Sequence, residues 1–155
     1  AFGEALQPEF KDYAKKVVEN AACLADELKQ KGFKLQGDGT ENHLILVDVL
    51  SSFNVDGKFF ERALDMVGLN LNANALPTDK GAAFRPSGVR LGTPAITTRG
   101  LGIDEMKQIA VWMREVVDIC VKLGDEEKLS DAEAELEKIR EEVKVLALKF
   151  PVPGI

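Results

Sequence analysis

The first part of the chain carries apolar residues at steps of three and four positions, a spacing that places them on one face of a helix. The stripe lies between Pro8 and Gly32 and consists of Phe10, Tyr13, Val17, Ala21, Leu24 and Leu28. A glycine directly after such a stripe favours the end of the helix. We therefore expect residues 1–32 to form a long helical lead-in to the rest of the chain.

After this helix the pattern becomes that of two β-strands joined by a turn. Residues 33–36 can form a short strand, and the triplet Gly37-Asp38-Gly39 supplies residues that favour turns. Residues 43–50 form a second run that is rich in β-branched and other apolar side chains. Two strands joined so closely predict an antiparallel pair.

A helix and a second pair of strands are predicted next. Asp56 can cap a helix that runs through Val67 and ends at Gly68. Residues 69–74, LNLNAN, then alternate strictly between apolar and polar side chains. Because side chains point to opposite faces of a strand in turn, one face should carry the three asparagines Asn70, Asn72 and Asn74.

The second strand of this pair carries an arginine among apolar residues. A loop is expected over residues 75–87, which contain Pro77, Gly81 and Pro86. In the strand that follows, Arg90 lies between Val89 and Leu91, so its side chain must point away from both. The guanidinium therefore either reaches water or meets an anion.

Two helices are expected in the C-terminal part. Asp104 is placed to cap the first, whose inward stripe is Met106, Ile109, Met113, Val116 and Cys120. Ser130 and Glu133 have the spacing of a capping box that would open the last helix, which runs through Phe150. This order of elements predicts an α+β fold with a small, mainly antiparallel sheet covered by helices, and residues 1–155 are expected to form a single domain.

Composition and charge narrow the class of protein. The formal net charge is −6, so the overall field repels nucleic-acid phosphates and anionic lipid. Although 45% of the residues are hydrophobic, no apolar run approaches the roughly 18 residues of a membrane span. The opening AFGEALQPEF lacks the basic and apolar regions of a signal peptide. We expect a cytoplasmic protein with no nucleic-acid or membrane partner.

Few residues are candidates for catalysis or metal binding. His43 is the single histidine, so no histidine-based triad or metal site is predicted, and a structural role is expected for it. Cys23 and Cys120 lie among apolar residues at helical spacing, which favours small buried side chains. The asparagines and Arg90 remain as a polar group that suits a planar heterocycle or a carboxylate. A solvated sheet face is the alternative interpretation.

Several long segments resemble one family. They are residues 87–100 (SGVRLGTPAITTRG), residues 37–49 (GDGTENHLILVDV) and residues 72–80 (NANALPTDK). They resemble the C-terminal part of serine hydroxymethyltransferase, a pyridoxal-phosphate enzyme of the aspartate aminotransferase fold type. Residues 1–21 and the closing KFPVPGI extend the resemblance over nearly the whole chain. It implies the fold of the C-terminal domain of fold-type I pyridoxal-phosphate enzymes.

The resemblance also implies roles for individual side chains. Arg90 matches the arginine that binds the carboxylate of the amino-acid substrate, serine or glycine. Asn74 matches the loop asparagine that contacts the pteridine ring of tetrahydrofolate. Arg99 belongs to the same motif, and only hydrogen bonds that fix a loop are expected of it. Asn70 and Asn72 inherit no such role, and a structural role is expected for both.

The family's cofactor-binding segments have no counterpart in the sequence. These are the T-T-T-H-K-type segment with the Schiff-base lysine, the aspartate facing the pyridine nitrogen and the phosphate-binding cup. The resemblance therefore implies a substrate domain cut from a longer enzyme, without the N-terminal domain that binds pyridoxal phosphate. We expect no catalytic residue here, no cofactor bound to this chain alone and no activity in isolation. The complete enzyme would convert serine and tetrahydrofolate to glycine and methylenetetrahydrofolate, as a homodimer or larger assembly.

A second hypothesis is a free-standing ligand-binding or regulatory module built on a ferredoxin-like sheet, which the order of helices and strands permits. An RNA-binding domain of similar topology is disfavoured by the acidic charge and the lack of aromatic residues at stacking positions. A substrate domain without its partner should expose apolar surface and self-associate, and Phe2 and Leu6 are candidates for that surface.

Overall fold

The computed structural model describes residues 1–77, 79 and 85–154. The helices in these ranges are α1 (Phe2–Ala5), α2 (Glu9–Gln30), α3 (Val49–Phe53), α4 (Gly57–Met66), α5 (Pro94–Thr98), α6 (Ile103–Leu123) and α7 (Glu133–Lys149). The strands are β1 (Lys34–Leu35), β2 (Leu44–Asp48), β3 (Asn72–Asn74) and β4 (Gly88–Gly92). Short 3-10 segments cover Gln36–Asp38 and Glu126–Ala132.

The described strands form one antiparallel sheet in the order β1-β2-β4-β3. β4 is therefore an internal strand, with β2 on one side and β3 on the other. The register places Arg90 opposite Leu46 of β2 and opposite Asn72 of β3. The predicted α+β fold with a small antiparallel sheet is confirmed, together with the predicted pair of the first two strands. The strands that carry Asn72, Asn74 and Arg90 are also neighbours.

Helices cover one face of this sheet. Three of the side chains that point to the covered face are at most 1% exposed, namely Ile45, Val47 and Val89. They belong to the core that also contains buried residues of α2, α4 and α6. Burial of such a side chain contributes about 1.5–3 kcal/mol relative to leaving it exposed. The opposite face, called the open face below, carries exposed or half-buried side chains, namely Leu44, Leu46, Asn72, Asn74 and Arg90.

The predicted first helix is confirmed as α2, which buries four residues of the stripe, namely Val17, Ala21, Leu24 and Leu28. Phe10, at the start of the stripe, is instead 41% exposed. Gly32 follows the helix with a φ of +89°, a conformation that a glycine adopts without steric cost. The helical lead-in consists of two pieces, because residues 6–8 separate α1 from α2.

One predicted helix cap is confirmed, and at a second helix a neighbouring residue supplies the cap instead. The Asp56 carboxylate accepts the N–H groups of residues 58 and 59 at 3.0 and 2.9 Å, as expected for the start of α4. Asp104 is not the cap of α6, because the helix begins at Ile103 and Gly102 is its N-cap. Glu105 supplies the capping carboxylate, since its Oε2 accepts the Gly102 N–H at 2.8 Å. The capping carboxylate is therefore that of Glu105, one position after Asp104.

The predicted capping box of the last helix is wrong. Residues 126–132 form a 3-10 segment, and α7 begins at Glu133 with Ala132 as its N-cap. Ser130 therefore lies inside the 3-10 segment and caps nothing. Asp125 opens that segment instead, because its carboxylate accepts the N–H of Glu127 at 3.0 Å.

The hydrophobic pattern also misses two short helices. β2 ends at Asp48, two residues before the predicted end of the strand, because the Asp48 carboxylate accepts the Ser51 N–H at 2.9 Å and caps α3. α5 has Pro94 at its first position, where the fixed φ of proline suits a helix. β3 covers only the last three residues of the LNLNAN segment. Of the predicted loop 75–87, Gly81 lies outside the described residues.

Candidate functional site

Arg90 lies on the open face of the sheet. Its neighbours in the strand, Val89 and Leu91, point to the covered face, where Val89 is fully buried. β4 is held close to α4, because a Cβ on Gly57 would overlap the carbonyl of Gly88 and would lie 2.9 Å from the Pro86 carbonyl oxygen. The Gly57 N–H donates to that same Pro86 oxygen at 2.8 Å. These contacts fix the start of the strand that carries Arg90.

A depression of about 570 Å³ lies above the open face. Its floor consists of side chains from three strands, namely Leu44, Leu46, Asn74 and Arg90. Residues 36–37 and 39–42 form its wall. The wall is fixed to the start of β2, because Thr40 Oγ1 donates to the Leu44 carbonyl at 2.6 Å and Asn42 Oδ1 accepts the Leu44 N–H at 2.7 Å. This wall was not predicted, although the segment GDGTEN showed a turn at this position.

The Arg90 guanidinium is exposed and available to an anion. In the described ranges, carboxylates within 4.0 Å pair with four other arginines, namely Arg62, Arg85, Arg114 and Arg140, but not with Arg90. A guanidinium offers five N–H donors in a planar fork that matches a carboxylate. The geometry therefore agrees with a binding role for Arg90 and argues against an internal ion pair.

Asn72 and Asn74 share the open face with Arg90 but differ in position. Asn72 is directly opposite Arg90, whereas Asn74 is opposite Gly88 and therefore diagonal to Arg90. Asn74 lines the depression and Asn72 does not. Asn74 Nδ2 donates to the carbonyl of Ala75 at 2.7 Å, which leaves its amide oxygen and one N–H for another partner. Asn70 is separate from this group, because its amide donates to the Asp65 carboxylate at 3.0 Å.

Two carboxylates contact the backbone around β3, and sequence reasoning missed both. Glu61 Oε1 accepts the Ala73 N–H at 3.0 Å. Although burial raises the pKa of Glu61, the hydrogen bonds from Lys58 and from Ala73 outweigh it and lower that pKa below its ordinary value. Asp79 Oδ2 accepts the N–H groups of residues 76 and 87, and hydrogen bonding from Ser87 lowers the pKa of Asp79 below its ordinary value.

Arg99 has a structural role at the other end of the motif. Its Nε donates to the Phe150 carbonyl at 2.7 Å and its Nη2 donates to the Ala147 carbonyl at 2.8 Å. These acceptors belong to the end of α7, where helix carbonyls lack partners within the helix. Arg99 therefore fixes the C-terminal helix to α5, which agrees with the expectation of hydrogen bonds that hold a segment in place.

His43 and the two cysteines lie away from the floor of the depression. His43 is exposed, and its backbone carbonyl accepts the Thr93 N–H at 3.2 Å. Cys120 is fully buried, and burial raises the pKa of its thiol to about 12. Cys23 is half-buried rather than fully buried, and burial raises its pKa as well. Both thiols are free.

The lining of the depression does not fit pyridoxal phosphate. The described lining contains one cationic side chain, Arg90, and no lysine that could bond to the cofactor aldehyde. Over residues 1–77, 79 and 85–154, no group of three or more histidine, cysteine, aspartate or glutamate side chains could hold a metal ion. No helix in the same ranges is long and apolar enough to cross a membrane. The arrangement suits a carboxylate beside a group that pairs with an amide.

Comparison with known proteins identifies the family. The sequence model of the family described as serine hydroxymethyltransferase matches residues 1–113. The chain is 53% identical over 152 residues to a serine hydroxymethyltransferase of Acidothermus cellulolyticus, and the matched region covers 98% of this chain and 34% of the relative. It is 44% identical over 154 residues to that of Idiomarina loihiensis, which covers 99% of this chain and 34% of the relative. The chain thus spans about a third of the length of these relatives. It belongs to the serine hydroxymethyltransferase family, and it corresponds to a C-terminal part of the enzyme.

Proposed function

We propose that this chain is the substrate domain of a serine hydroxymethyltransferase, in which Arg90 binds the carboxylate of serine or glycine. Asn74 would contact the pteridine ring of tetrahydrofolate, the acceptor of the hydroxymethyl carbon. Pyridoxal phosphate, bound by the remaining part of the enzyme, would supply an electron-accepting ring for the reaction. The present residues would bind and orient the substrate, and no catalytic residue is assigned to this chain.

The observation that supports this proposal is the availability of the Arg90 guanidinium at the floor of the depression. Two parallel hydrogen bonds from a guanidinium fix both the position and the rotation of a carboxylate. Each charge-assisted hydrogen bond contributes about 1.5–3 kcal/mol. Held in this way, the amino acid would keep one orientation in the depression, which would lower the entropy cost of the reaction.

The proposal is tested in the complete enzyme that carries this chain. Arg90→Lys keeps the charge and removes the planar fork, so kcat/KM for serine should fall by about 100-fold. Arg140→Lys is the matched control, because Arg140 pairs with Glu137 on α7, away from the depression. An Arg90→Lys enzyme with the kcat/KM of the control would contradict the proposal.

The isolated chain is expected to be inactive, because it lacks the lysine segment of the family. Mixing it with pyridoxal phosphate and serine should give neither a specific cofactor absorption band nor serine cleavage. Turnover by the purified chain would show that this expectation is wrong. A free-standing ligand-binding module is not favoured, since relatives named serine hydroxymethyltransferase match nearly the whole chain.

We also propose that the partner of this chain is the N-terminal cofactor-binding domain, in a cytoplasmic homodimer or larger assembly. Phe2 and Leu6 are 90% and 85% exposed, as expected for side chains that another part of the enzyme covers. The isolated chain should therefore self-associate as its concentration rises. Gel filtration of the chain and of a Phe2→Ser/Leu6→Ser variant measures this self-association.

A further inference from the structure

Strand β3 carries Asn72 and Asn74 but is weakly held by the sheet. It has three residues and lies at the edge, so it pairs with β4 on one side alone. Arg90, in contrast, lies in an internal strand that is paired on both sides. The position of Asn74 relative to Arg90 therefore depends on contacts to β3 from outside the sheet.

One such contact comes from helix α4. Glu61 Oε1 accepts the Ala73 N–H at 3.0 Å, and Ala73 lies between the two asparagines. The Glu61 side chain is 13% exposed and also pairs with Lys58. A carboxylate that is shielded from water and held by a second partner provides a fixed acceptor for the free edge of the strand.

A second contact is made by Asp79 to the backbone after β3 and before β4. Asp79 Oδ2 accepts the Leu76 N–H at 3.1 Å and the Ser87 N–H at 3.0 Å. Leu76 follows β3 by two residues, and Ser87 directly precedes β4. One carboxylate oxygen therefore links the end of β3 to the start of β4, next to the pair formed by Asn74 and Gly88.

We infer that Glu61 and Asp79 are positioning residues that hold Asn74 in a fixed place beside Arg90. The inference rests on the proposed role of Asn74 in contacting tetrahydrofolate. Glu61 fixes the outer edge of β3, and Asp79 fixes its end. Without them β3 separates from its position, whereas β4 and Arg90 stay in place. Loss of either carboxylate should therefore weaken the binding of tetrahydrofolate and leave the binding of serine unchanged.

The first experiment is kinetic and uses the complete enzyme. Glu61→Ala and Asp79→Ala should each raise the KM for tetrahydrofolate by about ten-fold, with the KM for serine changed by less than about two-fold. Glu61→Gln and Asp79→Asn keep an acceptor oxygen and should restore most of the tetrahydrofolate affinity. The control is Asp104→Asn, which removes an exposed carboxylate that pairs with Lys107. A general loss of structure would raise both KM values together, and that outcome would overturn the inference.

The second experiment measures β3 directly. In the complete enzyme, amide hydrogen exchange of Ala73 should be about ten-fold faster in Glu61→Ala than in Glu61→Gln, while exchange in β4 is unchanged. Unaltered exchange at Ala73 would overturn the inference. If Asn74→Ala raises the KM for tetrahydrofolate and Glu61→Ala does not, the inference fails and the proposed function stands. If Asn74→Ala has no effect, the folate part of the proposed function fails, and this inference fails with it.

Discussion

Leu44 and Ile45 are neighbours in β2, yet Leu44 is 39% exposed on the open face and Ile45 is 1% exposed on the covered face. The same contrast holds in β4, where Val89 is fully buried and Arg90 is exposed. The covered face stabilises the fold through its packing against helices. The open face contributes little to that packing and keeps its polar groups available for ligands.

Stability and binding should therefore respond to different substitutions at adjacent positions. A side chain on the covered face can be changed only at the cost of packing. A side chain on the open face can be changed at little cost to the fold, so a loss of function there reports on ligand contacts.

The largest effect is expected for the pair in β2. Ile45→Ala leaves a cavity in the core and should lower the free energy of unfolding by about 2–5 kcal/mol. Leu44→Ala removes a side chain that is already partly in water and should lower it by less than about 1 kcal/mol. Urea denaturation of the two variants measures the difference. Equal losses would mean that the open face is packed as tightly as the covered one.

A smaller effect is expected for the two arginines of the SGVRLGTPAITTRG motif. Arg99→Ala leaves the carbonyls of Ala147 and Phe150 without their donor, so the free energy of unfolding should fall by about 1–3 kcal/mol. Arg90→Ala should change it by less than about 0.5 kcal/mol, because the guanidinium is exposed. Thermal unfolding of both variants tests this, and a larger loss for Arg90→Ala would indicate that Arg90 supports the fold.

These two arginines also show what sequence reasoning could and could not predict. The alternation of Val89, Arg90 and Leu91 was sufficient to place the guanidinium on the polar face of a strand. The role of Arg99 could not be read in this way, because its acceptors lie about 50 positions away at the end of α7. Contacts between distant segments have no local signature in the sequence.

The errors in the predicted caps have a local cause. The cap at Asp56 depends on the next three residues alone, and the prediction was correct. At Asp104 and Ser130 more than one acidic or hydroxyl side chain could serve, and the spacing did not distinguish them. Glu61 and Asp79 were missed because their partners are backbone N–H groups in other segments, whose positions depend on the completed fold.

A still smaller effect is expected from acid. The pKa of Asp79 lies below its ordinary value, so its carboxylate stabilises the fold above the pKa of the unfolded chain. This contribution is lost as the pH falls through the lower, folded pKa. As the pH falls from about 5 towards 3, Asp79→Asn should therefore lose less stability than the unmodified chain. The free energy of unfolding, measured from pH 7 down to pH about 3, tests the slope. A slope in the variant that matches the unmodified chain would contradict the prediction.

The smallest effect is expected for Asn72, although the register favours it as the neighbour of Arg90. Directly opposite residues on an antiparallel pair have Cβ atoms about 4.5–5.5 Å apart, so Asn72 is nearer to Arg90 than the diagonal Asn74 is. Asn74 lines the depression, however, and Asn72 does not. In the complete enzyme, Asn72→Ala should change the KM for tetrahydrofolate by less than about two-fold. Asn74→Ala should raise it by about ten-fold, through the loss of the proposed hydrogen bonds to the pteridine. The reverse order would mean that proximity to Arg90, and not position in the depression, decides which asparagine contacts the ligand.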